Sequence, residues 1–310
     1  MSEVAILIPT RNRPEKVAKL LDSLMSSTIK PNQIIIVASG EDIKNQLRRF
    51  EDYFEITYKY TQIAGQIAQK KIGITLLNEE NNWCLFLDDD LLVGPRAIEG
   101  ALEAVNSRGP GRVIGVGFSL PITSRAQSAG RFTLRAGKLF GIHNNSPGKV
   151  LWNGHATSYL EMEEITNTEW LNGASMWQKS VLNSYGQGVP STRYAACEDL
   201  IYSYPLHKIG ELIYAPQAKL EFQDYELSDF NNLIIFESAS YWRYYFVCKN
   251  GLSRFAFFYS QFGRILFIVA QKRNRRVSTF LKLVKLQIPL LQSYFGRKPS
   301  ELLLEELARR

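Results

Sequence analysis

The feature that most constrains this chain is the alternation of short apolar runs with helical periodicity over its first 118 residues. Val4–Ile8, Gln33–Val37, Glu55–Tyr60, Trp83–Leu87 and Val113–Phe118 read as strands, the first two rich in β-branched residues. Between the first two, Val17, Leu20, Leu21 and Leu24 fall at i, i+3, i+4 and i+7, one face of a helix, and Pro14 stands where an opening helix tolerates proline. Ile98, Leu102 and Val105 repeat the pattern after Pro95. Such alternation implies right-handed crossovers and predicts an α/β fold: a mostly parallel, Rossmann-like sheet flanked by helices. From about Pro121 to Thr168 the pattern loosens into Gly-, Ser- and Asn-rich stretches, read as loops and short antiparallel strands.

Composition narrows the setting. With 310 residues, 45% hydrophobic and 22% charged, the chain has the balance of a soluble globular protein and ample length for a buried core. Cys84, Cys197 and Cys248 lie far apart with no CxxC pair, which argues against a disulfide framework or zinc site and makes a reducing cytoplasm the expected compartment. A strand begins at Val4, leaving no room for a secretory leader. No apolar run is long enough to span a bilayer; the nearest, Phe255 to Ala270, is broken by Arg264. The net charge of +7 conceals an asymmetry: Arg243 to Arg310 carries 14 Lys or Arg against 3 acids, +11, so the preceding 242 residues carry −4. An electrostatic partner is to be sought at the tail.

In open α/β sheets ligands sit beyond the carboxyl ends of the strands. That directs attention to Pro9-Thr10-Arg11-Asn12, Ser39-Gly40-Glu41-Asp42 and Asp88-Asp89-Asp90. Three adjacent carboxylates after a buried strand repel one another and need a compensating cation. Alternation would point Asp88 and Asp90 the same way, toward one hard divalent ion; the other reading is an acidic loop capping the helix near Pro95. Glu198-Asp199 opens a helical stretch running to Gly210, followed by the apolar run Leu212–Ala215. Asp199 there is either a general base for an acceptor hydroxyl or a helix cap. Gly65 to Gly73 reads as a helix whose Lys70 or Lys71 either meets a bound nucleotide or is simply solvated. Trp170-Leu-Asn-Gly-Ala-Ser-Met is either a binding loop with an aromatic platform or a buried turn.

Taken together and in this order, these segments resemble a family 2 glycosyltransferase of the GT-A fold, bacterial polysaccharide type, over roughly residues 4 to 225. Val4-Ala-Ile-Leu-Ile-Pro-Thr-Arg-Asn-Arg resembles the family's first strand and turn, and Gly65 to Ile74 its Gly-x-x-x-Ala-Arg-Asn-x-Gly-Ile pattern with Lys70 and Lys71 in the Arg-Asn places. Leu87-Asp-Asp-Asp resembles the Asp-x-Asp metal motif, Trp170 to Lys179 the donor and acceptor loop, and Glu198-Asp199 with Gly210, Pro216 and Ala218 the Glu-Asp motif and closing strand. The resemblance implies a catalytic domain over 1–225 (nucleotide-sugar half about 1–118, acceptor half about 119–225) and a helical, basic-aromatic extension over 226–310. It implies an inverting transfer from a UDP-, GDP- or dTDP-sugar to a saccharide or lipid-linked acceptor in surface polysaccharide synthesis. Asp199 would be the base, with Glu198 beside it, and Asp88 and Asp90 would hold Mn2+ or Mg2+. Pro9, Thr10, Arg11, Ser39, Gly65, Lys70, Asp88 and Asp89 would line the donor, and Trp170, Asn172 and Gly173 the acceptor.

Two departures stand out. Where the family has an Asp after the second strand, this chain reads Val37-Ala-Ser-Gly-Glu-Asp, leaving Ser39, Glu41 or Asp42 to substitute. Where the family often has a metal-binding His after the last strand, Phe222 stands, with Gln223 and Asp224 beside it. These keep open a degenerate, membrane-associated scaffold. A nucleotidyltransferase is the enzymatic rival, but the loop after the first strand has no glycine. The tail interleaves Tyr241-Trp-Arg-Tyr-Tyr-Phe, Arg254-Phe-Ala-Phe-Phe-Tyr and Lys272-Arg-Asn-Arg-Arg, then Phe280, Leu283, Leu286 and Leu290 beside Lys282 and Lys285. That composition suits a peripheral contact with the inner face of a cell membrane, packing on the protein, or a homo-oligomer contact. No nucleic-acid-binding motif accompanies it.

Overall fold

The computed structural model describes residues 3–121, 137–142, 145–187, 189, 196–224, 233–271, 277–297 and 299–309. They fall into two compact units: Met1–Ile122 with Ser158–Val189 and Glu198–Glu226, and Thr123–Thr157 with Pro190–Cys197 and Leu227–Arg310.

In the first unit, strands β1 (Val4–Arg11), β2 (Gln33–Ser39), β3 (Ile56–Thr61) and β4 (Trp83–Phe86) alternate with α1 (Pro14–Leu24), the short α2 (Lys44–Leu47) and α3 (Gln66–Ile74). Then come β5 (Leu91–Val93), α4 (Ala97–Ser107), β6 (Val113–Ser119), β7 (Thr166–Thr168), β8 (Ser175–Gln178), α5 (Lys179–Leu182), α6 (Glu198–Leu206) and β9 (Glu211–Phe222). The sheet order is β3-β2-β1-β4-β8-β6-β9-β5, with β7 also on β9. The expected parallel arrangement holds for β3-β2-β1-β4 and for β6 on β9. Strand β8 enters antiparallel between β4 and β6, and β5 and β7 pair antiparallel with β9, so the sheet is mixed.

Both faces of β1 and β2 are covered, which is why they read as continuous apolar runs rather than alternating ones. Helix α1 buries the predicted stripe Val17, Leu20, Leu21 and Leu24 on one face; each such side chain contributes about 1.5–3 kcal/mol of transfer free energy. Helix α3 approaches β1 closely. A Cβ on Gly73 would lie 2.6 Å from Leu7 Cδ1 and 2.7 Å from Leu7 Cγ, and Leu7 is wholly buried.

In the second unit, α7 (Leu233–Lys249), α8 (Arg254–Gln271), α9 (Val277–Lys285), α10 (Ile288–Tyr294) and α11 (Ser300–Arg309) follow one another. Of the readings of the tail, packing on the protein describes its first aromatic cluster: Tyr241, Trp242, Tyr244, Tyr245 and Phe246 are buried in α7, and Leu283 and Leu290 are buried as well. Arg243 among them is buried too: it donates to Gln261 and stacks 5.2 Å over the Phe257 ring. Lys272-Arg-Asn-Arg-Arg lies outside the described residues.

The Gly73 contact decides the sign of one substitution. Replacing a helical Gly with Ala ordinarily stabilises a helix by roughly 0.5–1 kcal/mol. At Gly73 the added methyl meets an immobile Leu7, and such overpacking costs about 1–3 kcal/mol. Gly73→Ala is expected to lower the urea midpoint with an unchanged slope; a midpoint at or above the parent's would refute the close-packing account.

Candidate active site

The loop after β4 carries the three carboxylates, and the structure gives each a different environment. Asp89 turns inward and is 5% exposed. Its Oδ2 accepts from Thr10 Oγ1 at 2.6 Å and its Oδ1 from Arg13 at 2.9 Å. Asp88 Oδ1 accepts from Gln66 Nε2 at 2.6 Å, at the start of α3. Asp90 is the more open, with Arg13 3.9 Å away. Burial, then Asp88 and Asp89 beside it, push the Asp90 carboxyl above its ordinary range. The loop is braced from β9. Gln223 Nε2 donates to the carbonyls of Lys16, Asp89 and Leu91, and the Gln223 amide donates to Asp90 O. Asp224 pairs with Lys16 at 3.4 Å. Gln223 and Asp224, next to the Phe222 that stands in the histidine's place, are thus engaged in the scaffold.

Gly65, at φ 129°, opens α3 and directs Lys70 inward. The Lys70 amine, 1% exposed, lies 3.3 Å from Glu198 Oε1 and 5.3 Å above the Phe86 ring. Burial works to lower it, but Glu198, Asp88 and Asp199 together hold it above its ordinary value. Burial drives Glu198 upward, with Lys70 opposing and Asp199 and Asp88 adding to the shift. Asp199, in the first turn of α6, accepts from the Leu200 amide at 2.8 Å. Its carboxyl is raised to about 6, mainly by burial, with the Leu200 amide and Lys70 opposing and Asp88 adding. The buried Tyr185 hydroxyl feels the same group: burial, Glu198, Asp88 and Asp199 all raise it. Lys70, Asp88, Glu198 and Asp199, far apart in sequence, therefore form one electrostatic cluster.

The loop before β8 is held from below. Tyr159 Oη accepts from the Asn172 amide at 2.7 Å, Ser203 Oγ from the Leu171 amide at 3.1 Å, and Trp170 packs on Tyr159 with ring centroids 5.2 Å apart. The Asn172 side-chain amide is buried with no hydrogen-bond partner among the described residues. Gly173 faces the acidic loop: a Cβ there would lie 3.8 Å from Asp88 Oδ2.

At the tips of β1 and β2, Pro9, Thr10 and Ser39 are buried and Arg11 is exposed. Gln69 Nε2 donates to Thr10 O and Val37 O, joining α3 to both tips. Asn12, at φ 55°, accepts from the Glu41 amide at 2.8 Å. Gly40, at φ 79°, makes that approach possible, since a Cβ would fall 2.1 Å from Asn12 Oδ1. Of the three residues available after β2, Asp42 is taken up by Tyr58 Oη at 2.7 Å and the Lys44 amide, which lower its pKa. Ser39 Oγ is buried without a partner among the described residues, and Glu41 is exposed.

No group of three or more His, Cys, Asp or Glu side chains suited to a metal occurs among the described residues. Asp88 and Asp90 nonetheless offer hard oxygen donors in a crowded, negatively charged loop. Two carboxylates with phosphate and water suffice for Mg2+-like ions, so the donor set fits.

Tyr159 and Tyr185 escaped the sequence reading, since they act across the fold and leave no local pattern. Arg13, Gln66 and Gln69 lie inside the quoted motifs without a role assigned there, and Gln223 was noted only beside the histidine's place.

Residues 5–145 match the model of Glycosyl transferase family 2. No curated protein matches the chain in sequence. Among solved structures, the mannosyltransferase PcManGT from Pyrobaculum calidifontis, in complex with GDP-Man and Mn2+, is similar at TM-score 0.55 and 12% identity, over 98% of this chain and 79% of that one. S. aureus TarS 1-349 is similar at TM-score 0.55 and 8% identity, over 100% of this chain and 90% of its own. The same protein in complex with UDP-GlcNAc gives 0.57 and 9%, over 94% and 81%. At such identities the likeness carries the fold and not the substrate. The mixed sheet with its helical flanks is the GT-A architecture of these neighbours, and residues 5–145 resemble glycosyl transferase family 2.

Proposed function

We propose that this protein is an inverting glycosyltransferase, moving a sugar from a nucleoside diphosphate donor to a hydroxyl of a saccharide or lipid-linked acceptor, as in surface polysaccharide synthesis. One observation carries the reading: Asp199, a buried carboxyl raised to about 6, shares an electrostatic cluster with Asp88 of the acidic loop. A base poised close to the working pH is suited to proton abstraction.

In this reading Asp199 takes the proton of the acceptor hydroxyl as its oxygen attacks the anomeric carbon, and the nucleoside diphosphate departs from the opposite face. The Leu200 amide and the α6 N-terminus fix the direction of Asp199. Glu198, paired with Lys70, positions that turn rather than sharing the proton. Asp88 and Asp90 would hold a Mn2+ or Mg2+ ion, which when bound offsets charge on the departing diphosphate. Thr10 and Arg13 hold Asp89, and with it the loop, in place. Arg11 and Glu41 are exposed at the strand tips where the base and ribose would lie, and Trp170, Asn172 and Gly173 flank the acceptor side. The known donors of the structural neighbours, GDP-Man and UDP-GlcNAc, support a nucleotide sugar without choosing between them.

The test is nucleoside diphosphate release from UDP-, GDP- and dTDP-sugars with Mn2+ and candidate acceptors. Asp199→Asn is expected to lower kcat by about 10²–10⁴. The base form of Asp199 exists above its raised pKa, so the parent's kcat/KM should fall as pH drops through about 6, not near 3.8. Nucleotide binding with no release from any donor, whatever the acceptor, would favour the scaffold reading instead.

The buried pair yields a separate outcome. Lys70→Met leaves Glu198 buried and unpaired, a loss of about 3–5 kcal/mol in such cases. With Lys70 gone, the Glu198 pKa rises further above its unfolded value, so the loss should grow as pH rises and shrink in acid where Glu198 is neutral. Lys70→Met/Glu198→Gln should recover most of it. Urea unfolding at several pH values reads this, and a pH-independent loss would contradict the ion-pair account.

A further inference from the structure

Helices α9 and α10 carry two apolar stripes. One, with Leu283 and Leu290, is buried in the helical unit, where Leu283 clusters with Phe236 and Ile265. The other comprises Val277, Leu281, Val284, Ile288, Leu291 and Phe295, at intervals of four and three residues. Every one of these side chains is exposed, from 37% at Val284 to 73% at Val277. An apolar row of this length left open on a helix pair needs an occupant.

Charge selects among the possible occupants. From Val277 to Arg297 the chain has Lys282, Lys285 and Arg297 and no acid, and Lys272-Arg-Asn-Arg-Arg immediately precedes it in sequence. At 100° per residue, Lys285 falls on the flank of the exposed stripe and Lys282 lies between that stripe and the buried one, both side chains exposed. A second copy seated on the same face would oppose these cations with its own. No helix among the described residues is long and apolar enough to cross a membrane. A cationic flank beside an apolar row matches instead the boundary of an anionic bilayer, where side chains such as Leu, Ile and Phe enter the acyl edge and lysines reach lipid phosphates.

We propose that the exposed α9–α10 face docks the protein on the surface of an anionic phospholipid bilayer. The surface lies on side chains that take no part in sugar transfer, so the proposal stands or falls apart from the catalytic reading.

The experiment is co-sedimentation of the full chain with vesicles of phosphatidylcholine alone or mixed with phosphatidylglycerol, beside analytical ultracentrifugation without lipid. The parent is expected to partition onto the mixed vesicles at least roughly tenfold better than onto phosphatidylcholine, with the difference shrinking in high salt. Lys282→Glu/Lys285→Glu should weaken that partition by roughly thirtyfold or more, from about 1 kcal/mol per basic residue. Leu281→Asp/Leu291→Asp should weaken it comparably. All four positions are exposed, so both variants should keep the parent's circular dichroism and melting temperature. No partition of the parent, or partition that neither variant weakens, would overturn the proposal. So would a dimer in the ultracentrifuge that Leu281→Asp/Leu291→Asp converts to monomer, since the occupant would then be a second copy.

Discussion

The arrangement at the sheet's carboxyl edge depends on one buried ion pair, Lys70 with Glu198. A lone ammonium or carboxylate at such depth would cost several kcal/mol, and attraction repays that only where geometry and further hydrogen bonds are good. The requirement ties α3, entering from Gly65, to the first turn of α6. It also explains the rest of the electrostatics. One cation faces Glu198, Asp199 and Asp88, so the carboxyls share an excess of negative charge in a dry setting and both α6 carboxyls are raised. The raised carboxyls are thus a consequence of burial and of the excess negative charge, which Lys70 offsets only in part.

The acidic loop divides its labour in the same spirit. Three consecutive aspartates cannot all be free without mutual repulsion. The middle one is neutralised by Arg13 and Thr10 and becomes an anchor. The outer two are left with unused oxygens, Asp88 held at one oxygen by Gln66 and Asp90 more open. Gln223, reaching from β9 to three backbone carbonyls, holds the loop from the other side. A site fixed by its neighbours in this way loses little freedom on meeting a ligand.

How much of this could be read from sequence follows from the range of each interaction. The parallel half was legible because strand and helix periods are local: β1, β2 and α1 begin where the apolar pattern predicts, and the acidic loop and α6 fall where the motifs put them. The entry of β8 between β4 and β6 was not, since Ser175–Gln178 pairs with residues about 60 to 90 positions away and nothing in its own four residues says so. Gln223 acts over longer separations still, 132 to 207 positions. Asp42, available on paper for nucleotide contact, is occupied by Tyr58, and only the fold brings those two together.

The tail left alternatives open that only packing decides. Its aromatics and arginines suit a surface or an interior, and Tyr241, Trp242, Tyr244, Tyr245 and Phe246 are buried in α7, where Arg243 meets Gln261 and the Phe257 ring. In α9 and α10 two apolar rows repeat at nearly the same period, and periodicity cannot say which faces inward. Packing buries Leu283, against Phe236 of α7 and Ile265 of α8, and Leu290, and leaves the second row exposed. Composition therefore does not separate the row that packs inward from the row left open, and only a row that the protein itself does not cover is available to anything else.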